Sequence, residues 1–290
     1  MDNQLFDYSP ITEREPIQWP GGAKIAFYIG LNVEHYQVDK PSTSIFPGTA
    51  GLSPDPLNYG WRDYGPRVGI WRLIEALDRY GMRASVMLNS DVTKHYPQII
   101  EAGRARDWAW AAHGRNNSIL QADMTEDEER AYLTEVVDTI EAATGRRPRG
   151  WLGPALTETF RTPELLAELG LTYILDWCND DQPYRLNVPG MLSVPYSVEV
   201  GDIQLFVGKA LSGPEFVRIV KDQFDQLYAD AVAADSGRVM SLVLHPFVIN
   251  QPFRHRYLEE ALEYITQHTG VWLTTSDEIA EHYAATTAGA

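Results

Sequence analysis

The feature that most constrains this chain is a regular alternation of two kinds of segment. Short, nearly continuous apolar runs occur at residues 24–31, 83–88, 107–112, 171–175, 192–196, 239–244 and 271–273. A strand that is apolar along its whole length is buried on both faces, which is the habit of parallel sheets. The segments between them repeat apolar residues at helical spacing. Ile70, Leu73, Ile74 and Leu77 share one face over 67–80, and Leu133, Val136, Val137 and Ile140 share one in a longer helix. Thr125 and Glu128 have the spacing of a capping box at the start of that helix. Thr162-Pro163 opens a shorter helix that Gly170 should close. Phe216, Val220, Phe224, Leu227 and Tyr228 mark another helix. Leu258, Ala261, Leu262 and Ile265 mark one that Gly270 should close, and Thr275 to Glu278 gives a last capping box. Parallel strands joined by crossover helices follow from this order. About seven such units predict an α/β chain folded as a distorted (β/α) barrel. An open doubly wound sheet would carry a glycine-rich first turn, and the first strand here runs instead into Gly30-Leu31-Asn32-Val33-Glu34-His35.

The chain is read as one catalytic domain over 1–290, with an N-terminal arm at about 1–22 and a long loop insertion at 36–66 after the first strand. A loop of that length in a compact domain is usually a lid or a substrate wall. The net charge of -16, from 24 Lys+Arg against 40 Asp+Glu, repels phosphate backbones and anionic membranes. No nucleic-acid or membrane partner is therefore expected. No basic start precedes an apolar core and no apolar run spans a bilayer, so a cytoplasmic location is expected. Cys178 is the only cysteine, which excludes an internal disulfide and a thiolate metal cluster.

In a β/α barrel the chemistry gathers where strands end. Those positions here are rich in polar groups: Asn32, Glu34 and His35; Asn89 and Asp91; His113; Trp151 and Pro154; Asp176, Trp177, Asn179, Asp180 and Asp181; His245 and Pro246. An imidazole such as His113 can ligate a metal, face an oxyanion or shuttle a proton. His245, held by Pro246, suits a general acid to a leaving nitrogen. Neighbours on a strand point to opposite faces, so only one of Glu34 and His35 faces the pocket; Glu34 is favoured, as base or ligand. Asp176 is the expected partner of an imidazole, as in a triad. Trp151, Trp177, Asn179, Asp180, Asp181 and Tyr184 are the candidate substrate-binding residues, with Trp61 a further aromatic wall. Each has a plainer reading: a strand-capping or packing histidine for His113 and His245, a turn cap for Asp180 and Asp181, core packing for the tryptophans.

These residues, in this order, resemble the polysaccharide-deacetylase or NodB-homology superfamily over roughly 25–283. Asn32-Val33-Glu34-His35 stands where the family places acids. His113 to Asn117 matches its His-x-x-x-His motif with Asn in the second slot. Leu152-Gly153-Pro154 keeps the Pro of its third motif and lacks the Arg. Asp176-Trp177 corresponds to the fourth motif and Leu244-His245 to the fifth. Asn179 to Tyr184, with Leu244-His245-Pro246 and Gly270 to Ile279, looks closest to the PuuE-type allantoinase and cyclic-imide hydrolase branch.

The resemblance implies a hydrolase of carbon–nitrogen bonds other than peptide bonds, opening a small cyclic amide, imide or ureide. In that reading Glu34 activates water, His113 faces the oxyanion, His245 protonates the nitrogen and Asp176 orients an imidazole. Two alternatives stand beside it: a metal-dependent de-N-acetylase of a sugar or glycan, and a catalytically inactive ligand-binding barrel. One divalent metal (Zn, Co or Mn) is implied as cofactor, with Glu34, His113 and Asn117 as its ligands and His35 as a substitute; metal independence is the other expectation. Likeness to the family also implies a small-molecule substrate and a homo-oligomer, a dimer or tetramer.

Overall fold

The structure is a computed structural model that describes residues 2–287. Nine strands make one sheet: β1 (Ile25–Val33), β2 (Ala84–Leu88), β3 (Ala109–Ala112), β4 (Gly150–Trp151), β5 (Tyr173–Ile174), β6 (Tyr184–Arg185), β7 (Leu192–Ser193), β8 (Arg238–Leu244) and β9 (Val271–Thr274). Their order is β6-β7-β5-β4-β3-β2-β1-β8. Every pairing is parallel except β6 with β7. β8 lines one edge of β1 from Ile25 to Leu31, while β9 and β2 share the other edge, at Ile25 to Tyr28 and Ile29 to Val33. β7 and β8 do not pair, so the curled sheet is a barrel left open at that seam.

The helices are α1 (Pro56–Tyr64), α2 (Ile70–Arg79), α3 (Ser90–His95), α4 (Pro97–Arg104), α5 (Glu126–Thr144), α6 (Thr162–Glu168), α7 (Gly213–Ala233), α8 (Pro246–Ile249), α9 (Pro252–Thr266) and α10 (Ser276–Thr286). Among them no helix is long and apolar enough to cross a membrane. The Thr125/Glu128 capping box is formed in full. Thr275 caps α10 from Glu278 N, while the Glu278 carboxylate turns to Thr274 Oγ1 and Arg83.

Two sequence expectations differ. The insertion at 36–66 is not all loop: Pro56 at the first position and Asp55 accepting from Asn58 N start α1 inside it. α9 ends at Thr266, four residues before Gly270, whose left-handed φ of 72° instead turns the chain into β9.

Strand alternation sorts the core into two layers. Ile25, Phe27, Ile29, Leu31, Val86, Leu88, Ala112, Trp151, Ile174, Met240, Leu242 and Leu244 pack outward against Leu73, Leu77, Leu133, Val137, Phe224 and Leu262 of the helices. Ala26, Tyr28, Met87, Ala111, Leu152, Tyr173, Leu175, Val194, Val239 and Val243 fill the inside of the curl. A residue two positions beyond an inner one, at the strand's C-terminal end, therefore points into the mouth of the barrel.

Candidate active site

That parity places Glu34 (after Tyr28 and Asn32), Asn89 (after Met87), His113 (after Ala111) and His245 (after Val243) at the mouth together. Glu34 is its centre. His113 Nε2 lies 3.4 Å and His245 Nε2 3.8 Å from Glu34 Oε1. Asn117 Nδ2 also donates to Oε1, and the Tyr36 hydroxyl donates to Oε2. The ionisable groups are nearly closed from solvent, Glu34 and His245 8% exposed and His113 2%, while Asn117 is half-buried.

Each group is fixed from behind. Leu152 O accepts from His113 Nδ1 at 2.7 Å, which puts a proton on that nitrogen because a carbonyl can only accept. Asn89 donates to His113 O and to Asn117 Oδ1 (3.0 Å), and accepts from His35 N (2.9 Å). Gly114 follows His113 at φ 63°, and a Cβ there would fall 2.4 Å from the Tyr132 hydroxyl and 2.5 Å from Pro154 Cγ. Only glycine makes that turn, and Tyr132 then accepts from Arg115 N at 2.8 Å. His245 is gripped twice by Asp202, which is fully buried: Oδ1 accepts from Nδ1 and Oδ2 from the backbone N, both at 2.7 Å.

The charges set the protonation states. Burial pushes the Glu34 carboxyl up, but the His245 charge, the His113 hydrogen bond and charge, and the Tyr36 hydrogen bond outweigh it and hold it below its ordinary value. Burial pushes the His245 imidazole down, yet the charges of Asp202 and Glu34 and the Asp202 hydrogen bond leave it above the ordinary value. Burial, then the charge and hydrogen bond of Glu34, hold the Tyr36 phenol well above its usual range, so it stays a donor. The site thus favours a carboxylate on Glu34 and a proton on His245 more than either group would in water.

Four sequence expectations fall elsewhere. Asp176 does not reach an imidazole. It has the outward parity of Ile174, its Oδ1 accepts from Gly153 N at 2.7 Å, and the acid that holds His245 is Asp202. Trp151 has the same outward parity and is fully buried in the outer core layer, so it is not a pocket wall. Asn179, Asp180, Asp181 and Tyr184 line a cleft of about 1380 Å³ along the seam, which none of the four mouth residues lines. Asp180 there pairs with Arg14 of the N-terminal arm at 2.6 Å, Tyr184 donates to Asn179 Oδ1 at 2.9 Å, and Phe6 packs on the edges of Trp177 and Tyr184. This motif clasps the arm over the open side of the barrel. His35 turns outward and stacks on His95 at 4.1 Å.

The donor set does not fit the expected metal. A carboxylate can only accept, so Asn117 must present its nitrogen to Glu34, and its oxygen is taken by Asn89. Among the described residues no three His, Cys, Asp or Glu side chains gather so as to hold an ion. Glu34, His113 and Asn117 are therefore arranged as a hydrogen-bonded set rather than as ligands.

Asp176 has a different partner. It lies beside Glu158, a second carboxyl in a buried setting. Burial, then the Glu158 charge, raises Asp176 well above the carboxylate range, and burial lifts Glu158 to about 7. A carboxyl raised on folding holds its proton in the folded chain, so its contribution is complete below the unfolded value near 4.5 and is lost as pH rises through about 7. We therefore expect the Tm to fall between pH 5.5 and 8.5, and Glu158→Gln to flatten that fall. Parallel melting curves for the two proteins would refute this.

Similarity to known proteins agrees with the geometry. Residues 61–174 match the polysaccharide deacetylase family. The crystal structure of PuuE allantoinase superposes with a TM-score of 0.86 at 26% identity, covering 97% of this chain and 99% of that one. A Schizosaccharomyces pombe protein carrying a polysaccharide-deacetylase name is 26% identical over 92% of each chain. The peptidoglycan deacetylase of Helicobacter pylori is 26% identical over 86% of this chain and 94% of its own. Residues 61–174 thus carry a polysaccharide-deacetylase (NodB) domain, and the chain is an enzyme similar to the deacetylase and allantoinase hydrolases.

Proposed function

We propose that this deacetylase-family hydrolase opens a small cyclic amide, imide or ureide by adding water across a ring carbon–nitrogen bond. The observation that carries the reading is the enclosed carboxylate: Glu34 is 8% exposed beneath Tyr36 and between two imidazoles, a setting that suits a compact ring better than a polymer chain. The likeness to an allantoinase structure supports it. Residues 1–290 are taken as one catalytic domain, working in the cytoplasm.

The chemistry follows from the order of groups. A water beside Glu34 Oε1 gives its proton to the carboxylate as its oxygen attacks the ring carbonyl. The oxyanion faces the Asn117 amide, whose second N–H is free to donate, beside the His113 ring. His245 Nε2 gives its proton to the departing nitrogen, leaving a carboxyl group and an N–H in the product. The proton on Glu34 then crosses the 3.8 Å to His245 Nε2 and resets the site. Asp202 keeps the imidazolium oriented throughout.

A second reading, de-N-acetylation of a sugar or glycan, is favoured by the names of the two curated relatives. The test is a panel of allantoin, succinimide, dihydrouracil and N-acetylglucosamine oligomers, run before and after chelation and with Zn, Co or Mn added. We expect ring opening without acetate release, unchanged by chelation. Acetate release that needs added metal would replace the first reading with the second. Binding without turnover of any compound would favour an inactive barrel.

We also propose a homo-oligomer. Val38, Ile45, Phe46, Leu52 and Leu57 are all exposed on the insertion at 36–66, a concentration of apolar side chains suited to a subunit interface. Light scattering should return a multiple of the 32.7 kDa chain mass.

A further inference from the structure

We propose that Tyr36, backed by Arg62, is the positioning pair for Glu34: the phenol ties down one carboxylate oxygen so that the other alone faces water, and the guanidinium braces the phenol. The inference rests on Glu34 being the base of the proposed reaction.

Glu34 has two oxygens with separate duties. Oε1 is turned to His113, His245 and Asn117, the groups among which a substrate would react. Oε2 is held by the Tyr36 hydroxyl. A carboxylate free to rotate would offer either oxygen and lose the near-attack geometry that a positioned base provides. Tyr36 cannot swing away, because it is 6% exposed and walled on one side by Phe247, whose ring meets its edge at 6.0 Å. Phe247 in turn meets the edge of His245 at 5.7 Å and that of Trp61 at 4.8 Å, so base, acid and lid share one wall.

Arg62 covers the face of the Tyr36 ring with its guanidinium carbon 4.8 Å from the centroid. It is 3% exposed, no carboxylate lies within ion-pairing distance of it among the described residues, and its Nε has no hydrogen-bond partner. Its one hydrogen bond, Nη1 to Thr43 O at 2.6 Å, anchors it to the insertion. A buried, unpaired guanidinium is costly unless its charge is used nearby. The aromatic face of Tyr36 is the partner it has, and the Glu34 carboxylate lies just beyond the phenol. α1 is built to bring it there: Asp55 and Asn58, both buried, tie the helix start to Thr49 and to both backbone groups of Phe46. The insertion thereby delivers a cation to the base from a segment outside the barrel.

The experiment is a double-mutant cycle of Tyr36→Phe and Arg62→Met, with Arg62→Lys as the conservative variant. On whichever compound the wild type turns over, Tyr36→Phe should lower kcat about 10- to 100-fold, the worth of a hydrogen bond to a charged group, with KM moving less than about threefold. Arg62→Met should cost a similar factor alone and little more in the Tyr36→Phe background, because it acts through the phenol. Arg62→Lys should restore most of the loss. Multiplicative losses, or an effect on KM alone, would overturn the pairing. A substrate-independent reading keeps it separate from the proposed reaction: the wild type should show a strongly downfield hydroxyl proton in its NMR spectrum, absent in both Tyr36→Phe and Glu34→Gln. If no panel compound turns over and the resonance is present, the pair stands and the reaction is wrong. A folded wild type without that resonance sinks the pair whatever the substrate.

Discussion

Replacing His245 by alanine will lower kcat about 10²- to 10⁴-fold on the true substrate, and Glu34→Gln will cost as much, the usual range for a lost general acid or base. Both effects follow from one juxtaposition, a buried carboxylate 3.8 Å from an imidazole whose protonated form Asp202 favours. The pH profile of kcat/KM carries the same information with its sign fixed. In the proposed reaction, activity needs Glu34 ionised and His245 protonated. Glu34 lies below its ordinary value, so the acidic limb, where rate rises with pH, sits below the usual carboxylate range. His245 lies above 6.5, so the basic limb, where rate falls, sits above the usual imidazole range. The plateau is therefore wider than the two unperturbed groups would give. Glu34→Gln should remove the acidic limb from whatever activity remains, and His245→Ala the basic one. Near-wild-type turnover in both variants would leave the proposed reaction without a catalyst.

The fold was readable because its signals are local. The Leu133, Val136, Val137, Ile140 stripe and the Thr125/Glu128 box need only one helix to be recognised, and both are formed. The apolar runs at 24–31, 83–88 and 239–244 became the three longest parallel strands, Ile25–Val33, Ala84–Leu88 and Arg238–Leu244. The site was readable only in part, because proximity to a strand end is a weaker constraint than parity along it. Glu34, His113 and His245 share the inward parity of Tyr28, Ala111 and Val243, and they meet. Asp176 and Trp151 share the outward parity of Ile174 and Ala112, and they do not. Because each run is apolar on both faces, its inward parity becomes legible only once the inner and outer layers are known.

Asp202, Tyr36 and Arg62 escaped for another reason. Asp202 precedes an irregular π-helical segment, Ile203–Gly208, with no period to read. Its one signal is that it is one of two acids, with Glu199, in the largely apolar stretch Val198 to Phe206. Arg62 sits in α1, which the richness of its surroundings in Pro, Gly and Ser disguised as loop. Long-range partners of this sort are set by how insertions fold back on the barrel, and no short window of sequence holds that information. The seam motif shows the converse error: Asn179 to Tyr184 was distinctive enough to suggest a ligand, and its polar groups serve the Arg14 clasp instead.

Asp202→Asn is the sharpest test of the arrangement, since it changes one atom's chemistry and little volume. The carboxylate accepts two hydrogen bonds, one from the His245 imidazole and one from its backbone. An amide offers one acceptor and one donor group. If its oxygen keeps the backbone N–H, its nitrogen faces Nδ1 and forces that atom to accept, which leaves a neutral ring of the other tautomer. The imidazolium is then disfavoured twice, by geometry and by loss of the charge that opposes burial. With Asp202 neutral, burial dominates and the His245 pKa should drop below its ordinary 6.5. In serine proteases the corresponding change costs about four orders of magnitude in kcat. Here we expect about 10²- to 10⁴-fold near pH 8 and a visibly smaller loss near pH 5.5, where the imidazole recovers its proton. Asp202→Glu, which keeps the charge, should recover part of the rate. Nitrogen-15 shifts of His245 would follow the same titration without any substrate, moving its midpoint downward in Asp202→Asn. A loss of equal size at both pH values, with the His245 midpoint unmoved, would show that Asp202 supports the fold and not the acid.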